Sequence, residues 1–474
     1  MKRISLKQVA PFGILLLIAT VAIFIPSLQN FEDHVKIYNT ADIAWILVAT
    51  ALVFLMTPGL AFFYGGMVHR KNVLSTMIKS VLAAGVVGVL WIVVGFSLCF
   101  GDSMGGFIGN PMTHLFFKGV VSGAPVLQGA SSPMTIPLVL FALFQLMFAT
   151  ITPGLVVGAV AERIRFTSYI LFIVLFSLLV YAPIAHWTWH PQGFLAQMGV
   201  LDFAGGTVVH ISAGCAALAG ALVLKRRKVH MEHKEIPPAN IPYVLIGTGL
   251  LWFGWFGFNA GSALAANSLS VSAFATTNTA AAAAGLSWMF FDVLKGKKPS
   301  VLGFCIGAVV GLVAITPAAG FVAIPQSISI GVVAAIISNM AVHYKQKSRL
   351  DDTLDVFPCH GIGGMVGMMM TGIFASKAVN AAGNNGLLFG NLSFFFTQVK
   401  ALLIVVAYSF SVSFLIFKFI NFILPLRVSS EEEELGLDAT QHNEKYLQGT
   451  LIINNERGTK EFSVEEYQVV EEYV

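Results

Sequence analysis

Two stretches of the chain place a histidine eight residues after an acid: Asp202-Phe-Ala-Gly-Gly-Thr-Val-Val-His210 and Asp352-Thr-Leu-Asp-Val-Phe-Pro-Cys-His360. A neutral imidazole offers one donor and one acceptor and titrates close to neutrality, so a facing pair can bind a small polar molecule or relay a proton. The acid has two uses of its own. Asp202 can cap a helix by accepting from the amides of Gly205 or Thr207, and at a mouth it adds negative potential that favours cations. Aromatic residues recur in Trp252-Phe-Gly-Trp255-Phe-Gly-Phe258-Asn-Ala-Gly-Ser262 and in Phe144-Gln145-Leu-Met-Phe148. Ring faces attract a small cation, and the Ser262 hydroxyl can accept a hydrogen bond from it. The same spacing also suits ordinary core or lipid-facing side chains.

The elements that must position these groups are membrane spans. Of 474 residues, 56% are hydrophobic and 11% charged, against about 25% charged in soluble domains, which excludes a water-soluble globule. Runs such as Ser80–Cys99 and Phe166–Pro183 carry no acid or base, and about 18 such residues suffice to cross a bilayer. Eleven spans are expected near residues 41–64, 80–100, 134–160, 166–187, 203–224, 241–266, 271–293, 302–318, 321–343, 356–376 and 397–424. Every second connection is basic: Arg70 and Lys71; Arg163 and Arg165; Lys225 to Lys228; Lys295, Lys297 and Lys298; Lys345, Lys347 and Arg349. By the positive-inside rule the first span enters from outside and the chain beyond Leu424 is cytoplasmic.

The two histidine stretches open the fifth and tenth spans, an odd number of spans apart, so they cross in opposite directions. That is the pattern of an inverted repeat in which spans one to five match six to ten. At about 1.5 Å per residue, eight residues carry each histidine about 12 Å into a core about 30 Å thick. Both imidazoles then meet near the midplane, where ionisable groups mark pathways. A neutral pair joining two helices by a hydrogen bond is the alternative. No Asp, Glu, Lys or Arg is expected comparably deep.

Residues 1–30 read as a secretory signal peptide or an uncleaved anchor, with basic residues before the short apolar run Pro11–Ile25. Residues 31–426 form the membrane domain, and 427–474 a soluble tail, read as a disordered solvated extension or a regulatory docking element. The net charge of +4 sits in clusters that orient the chain in a membrane and does not form a nucleic-acid stripe. Cys99, Cys215, Cys305 and Cys359 have no metal spacing. With no nucleophile–base pair or phosphate loop, an enzyme is not expected, nor is a cofactor or metal.

The segments Thr57-Pro-Gly-Leu-Ala-Phe-Phe-Tyr-Gly-Gly66, Gly158-Ala-Val-Ala-Glu-Arg-Ile164, Asp202–His210, Trp255-Phe-Gly-Phe-Asn-Ala-Gly-Ser262 and Asp355-Val-Phe-Pro-Cys-His-Gly-Ile-Gly-Gly364 together resemble the Amt branch of the Amt/Rh ammonium transporter superfamily. The resemblance implies an all-α integral membrane fold with eleven transmembrane helices, a homotrimer, and a separate pore in each subunit. It implies that Phe148, Trp189 and Ser262 form an external ammonium-recruitment site, and that Phe148 and Phe258 close the pore below it. Gln145 would be adjacent to the pore, His210 and His360 would be its twin histidines, and Asp202 the acid near its entrance. Trp255 is a supporting residue from the aromatic run. At Gly436-Leu-Asp438 and His442 the tail resembles the family's regulatory segment, with Asn443 where glycine is common; this implies docking of a PII-type nitrogen-regulatory protein.

Magnitudes shape the expected mechanism. An isolated ion entering a low-dielectric pore loses tens of kcal/mol by an idealised Born estimate, of order 20 kcal/mol, whereas cation–π contacts return about 2 kcal/mol. Ammonium is therefore expected to shed its proton at the recruitment site and pass as ammonia, with His210 and His360 relaying the proton separately. Two alternatives stand: a passive ammonia gas channel, and an ammonium sensor that signals through its tail.

Overall fold

The computed structural model of the chain describes residues 6–25, 37–121, 124–234, 236–446, 450–455 and 458–463. Between residues 40 and 423 it forms eleven helical rods: Thr40–Met67, Arg70–Phe100, Leu138–Val160, Phe166–Gln197, Gly206–Leu224, Ile241–Gly261, Ser268–Leu294, Val301–Ile315, Ile324–Gln346, 357–374 and Leu392–Ile423. Eight of them are long and apolar enough to cross a bilayer by themselves. The seventh is diluted by Ser, Thr and Asn, the eighth has 15 residues, and the tenth opens in a π-turn. Side-chain caps start several rods: Asn39 accepts from the amides of Ala41 and Asp42, Ser300 from Gly303, and Asn391 from Phe394, each supplying a partner for an otherwise orphan donor.

Rod boundaries fall within about five residues of those expected, except that the fourth rod, whose main helix ends at Trp189, is carried on to Gln197 by the short helix Phe194–Gln197, and that the second starts at Arg70. This draws Lys79 inside, where it is 2% exposed and donates to the carbonyl and hydroxyl of Ser75 one turn back. A buried lysine near the end of a rod is thus a feature that hydropathy missed.

The first rod packs along the sixth, the seventh against the eighth and ninth, and the fifth against the third and eleventh. The fifth and tenth approach backbone to backbone: a Cβ on Gly214 would lie 2.3 Å from Cα of Gly361. Only glycine permits that approach, and it brings the two histidine-bearing segments together. Large apolar side chains, including Leu47 and Phe54 on the first rod and Phe253 on the sixth, face outward, as a bilayer or a second copy requires.

The acidic segment after the last rod is not a solvated extension as far as residue 446. The chain folds back over the rod ends, where Arg165 donates its amide to Leu426 and Val428 donates to Arg163. A short helix, Ser430–Leu435, aligns Glu432 with Arg165 at 2.6 Å, Glu433 with Arg427 at 2.6 Å and Glu434 with Lys228 at 3.1 Å. Asp438 then accepts from the amides of Leu74 and Ser75 at 3.1 and 2.7 Å. The connections after the first, third, fifth and ninth rods thus meet on one face, together with the tail. Thr450–Asn455 pairs with Gly458–Ser463 as an antiparallel hairpin. Of the N-terminal segment, Leu6–Ile23 is helical; residues 1–5, 26–30 and 464–474 lie outside the described residues.

Candidate functional site

Both histidines sit in π-turns at the start of their rods, Gly206–Ile211 and Phe357–Ile362, a local geometry that recurs at functional sites. Each turn is anchored by the acid that precedes its histidine. The Asp202 carboxylate accepts from the amides of Gly205, Gly206 and Thr207 at 2.7–2.8 Å and from the Thr207 hydroxyl. Asp352 accepts from the amides of Val356 and Phe357 at 3.0 and 2.7 Å. Gly205 opens the first turn at φ +113°, and a Cβ there would stand 2.9 Å from Val209 and 3.3 Å from the Trp189 ring.

The two turns bring His210 and His360, 1% and 3% exposed, to an Nδ1–Nδ1 distance of 3.4 Å. Nε2 of His210 has no protein partner. Trp255 stacks on His210 at 5.3 Å and fixes its own indole N–H on the Thr316 hydroxyl at 2.9 Å. The histidines line a constriction of about 10 Å³ with ten apolar residues, among them Leu60, Leu155, Val309, Trp255 and Phe258. Its lining comes from the first, third and fifth rods and from the sixth, eighth and tenth, the partners that an inverted repeat relates.

On the side away from the tail, the Phe148 and Phe258 rings close together, with centroids 4.2 Å apart and planes tilted 35°. Next to them opens a recess of about 240 Å³ whose lining includes Gln145, Phe148, Trp189, Phe203 and Ser262. Trp189 meets Phe148 edge-on at 5.8 Å and donates its N–H to the Asp202 carbonyl at 3.1 Å. Ser262 donates its proton to the Phe258 carbonyl at 2.8 Å, which leaves its oxygen free to accept. Oε1 of Gln145 is buried without a partner. On the basic face a second recess, of about 310 Å³, is lined by Asp292, Ser300, Ile306, His343 and Asp355 among others.

All the residues expected from the sequence are thus drawn into one column, with one shift of position. Asp202 is absent from the recess lining; its carboxylate is taken up by the turn, and its carbonyl accepts the N–H of Trp189, which does line the recess.

A family model described as the Ammonium Transporter Family matches residues 44–446. The chain belongs to the ammonium transporter family. An ammonium transporter of Aquifex aeolicus (strain VF5) is 47% identical over 409 residues, covering 86% of this chain and 93% of that protein. The crystal structure of Saccharomyces cerevisiae Mep2 superposes with a TM-score of 0.79 at 37% identity, covering 86% of this chain and 92% of that one. A structure named Sensor Amt Protein does so with 0.76 at 28% identity, covering 85% and 98%. Ammonium transport through a multi-pass membrane fold is therefore the function.

Several residues around the transporter's column escaped sequence reasoning. Phe203 and Leu264 line the recess, and Met56, Phe63 and Ile151 the constriction; as apolar residues among many, they carry no signal of their own. On the basic face, Arg227 pairs with Glu162 at 2.5 Å and Asp351 at 2.8 Å, while Arg163 donates to the Asp351 carbonyl and the Thr353 hydroxyl. Burial pushes Glu162 and Asp351 up, but Arg227, together with the His69 amide at Glu162 and Arg163 at Asp351, more than offsets it and holds both below the usual carboxylate range.

Proposed function

We propose that this transporter takes ammonium into the recess of Phe148, Trp189 and Ser262, removes a proton there, and conducts ammonia past Phe148 and Phe258 and along His210 and His360. The main support is the change in room and polarity along the column, from a recess of about 240 Å³ to a constriction of about 10 Å³ whose lining is apolar apart from the two histidines. A space of about 10–15 Å³ holds one water at most, so a hydrated ion must shed its shell. The rings return about 2 kcal/mol of a far larger desolvation cost, of order 20 kcal/mol in the idealised limit, and this favours the neutral species. Gln145 and Ser262 offer acceptors to the ion; the unpaired Nε2 of His210 offers a hydrogen bond to the ammonia. Asp202 is a positioning residue, and His210 with His360 relays the released proton.

The same reading sets the recess outside the cell membrane and the basic face with its tail in the cytoplasm, following the positive-inside rule. Residues 1–30 act as a leader or an uncleaved anchor, 31–426 as the transport domain, and 427–474 as the tail. Three copies assemble through the outward apolar faces, and a PII-type regulator docks at the basic face. His360→Asp tests the histidine pair. Ammonium-evoked and potassium-evoked currents are compared on supported membranes, and the variant is expected to admit potassium. Retained ammonium selectivity with potassium still excluded counts against the pair as the discriminating element.

A second reading, sensing through the tail, draws on the likeness to the Sensor Amt Protein and on the tail's contacts with the rod ends. Deleting residues 427–474 separates the two: a transporter still accumulates methylammonium, whereas a sensor loses its output.

A further inference from the structure

Behind the column, the second, third and fourth rods enclose a chamber of about 10 Å³ that shares no lining residue with the constriction. Two more π-turns border it, Trp91–Gly95 and Ser177–Tyr181. In each the ladder lengthens to an i+5 bond: Phe96 donates its amide to the Trp91 carbonyl, and Ala182 to that of Ser177. The Trp91 indole N–H is spoken for by the Ala142 carbonyl at 2.9 Å. The hydroxyls of Ser177 and Tyr181 are not. Both belong to chamber-lining residues, 7% and 1% exposed, and neither oxygen has a partner in the protein.

Buried polar groups are almost always hydrogen-bonded, and a buried water needs two to four polar partners. Two hydroxyls four residues apart on one turn supply the minimum, since each can donate and accept. Apart from the free thiol of Cys99, a weak donor and acceptor, the remaining lining, with Val87, Leu90 and Ala149, is apolar, and it bears no formal charge, which disfavours an ion. A volume near the one-water threshold of about 10–15 Å³ excludes anything larger.

We propose that the chamber is a binding site for one small neutral molecule that both donates and accepts hydrogen bonds, water or ammonia, bridging the Ser177 and Tyr181 hydroxyls. Ala149 lines the chamber and Phe148, its neighbour in sequence, lines the recess. The bound molecule therefore fills the space behind the rod that carries the ring, and it lies outside the conduction column.

Structures of the full-length protein, at a resolution that shows ordered water, test this in ammonium-free buffer and in saturating ammonium. An isolated peak is expected about 2.5–3.0 Å from both hydroxyl oxygens. A peak in both conditions identifies water, and one confined to ammonium identifies ammonia; either supports the site. The double variant Ser177→Ala, Tyr181→Phe is expected to lose the peak. No peak in either wild-type structure, or one that persists in the double variant, overturns the proposal, and the wild-type result decides it should the variant fail to fold.

Discussion

Asp202 and Asp352 begin matching turns, but their surroundings differ. The Asp202 carboxylate is held by three amides and a hydroxyl, and among the described residues no lysine or arginine pairs with it. Asp352 is held by two amides and lies within a charged cluster: Lys345 donates to its carbonyl at 2.6 Å and pairs with Asp355 at 2.7 Å, and its neighbour Asp351 pairs with Arg227. One local design is thus anchored by backbone dipoles on one face and by an ion network on the other. The reason lies in what each face must do. On the proposed reading, a recess that takes up a cation is spared fixed positive charge, whereas the basic face uses its cations to tie rod ends and tail together.

That contrast can be broken most directly at the acids. Asp202→Ala removes every anchor of its turn at once, and hydrogen bonds to an ionised group contribute about 1.5–3 kcal/mol each. Methylammonium uptake, normalised to protein in the membrane, is expected to fall about 100-fold or more. Asp352→Ala, losing two amide bonds within a network that remains, should fall by about tenfold. Equal losses would mean that the two turns are anchored alike.

The ion network is the next target. Arg227→Ala leaves Glu162 and Asp351 buried without their partner, at a cost of about 3–5 kcal/mol, read as a lowered unfolding midpoint of the purified protein. A pH series sharpens the point. Because both carboxylates are depressed in the folded state, their contribution is fully present above the unfolded values of about 3.9 and 4.3 and is lost progressively as pH falls below them through the lower folded-state values. Wild-type stability from this network should hold from neutral pH to about 5 and decline below about 4. In Arg227→Ala the His69 amide still serves Glu162 and Arg163 still lowers Asp351, but the main offset to burial is gone, so the loss of midpoint on acidification below about pH 4 should be smaller than in the wild type.

The smallest effect belongs to the recess. Ser262→Ala removes one acceptor, a matter of about 0.5–1.5 kcal/mol, and should raise KM for methylammonium about two- to tenfold with the maximal rate retained. An unchanged KM would remove Ser262 from the recruitment site.

Much of this architecture is legible in the sequence, because the bilayer makes span length and basic connections obligatory signals. The acid-to-histidine spacing likewise leads to the observed meeting of His210 and His360 at 3.4 Å. What stays hidden is tertiary. A helical rise predicts depth but not the π-turns, which depend on carboxylates accepting several amides at once. Glu431–Glu434 reads as a solvated run because, beyond the nearby Arg427, its partners Arg165 and Lys228 lie more than 200 residues upstream. The chamber at Ser177 and Tyr181 is invisible in the same way, since two ordinary hydroxyls gain meaning only from what packs around them.

As proposed, the constriction passes no charge, and potassium current through the wild-type protein tests this most directly. Proteoliposomes on a supported membrane are exposed to potassium steps in place of ammonium, with an imposed potential of either sign. The account predicts no potassium-evoked current above that of protein-free vesicles, beside a robust response to ammonium. A potassium current scaling with the amount of protein would show that an ion with no proton to give up crosses intact, and would contradict it.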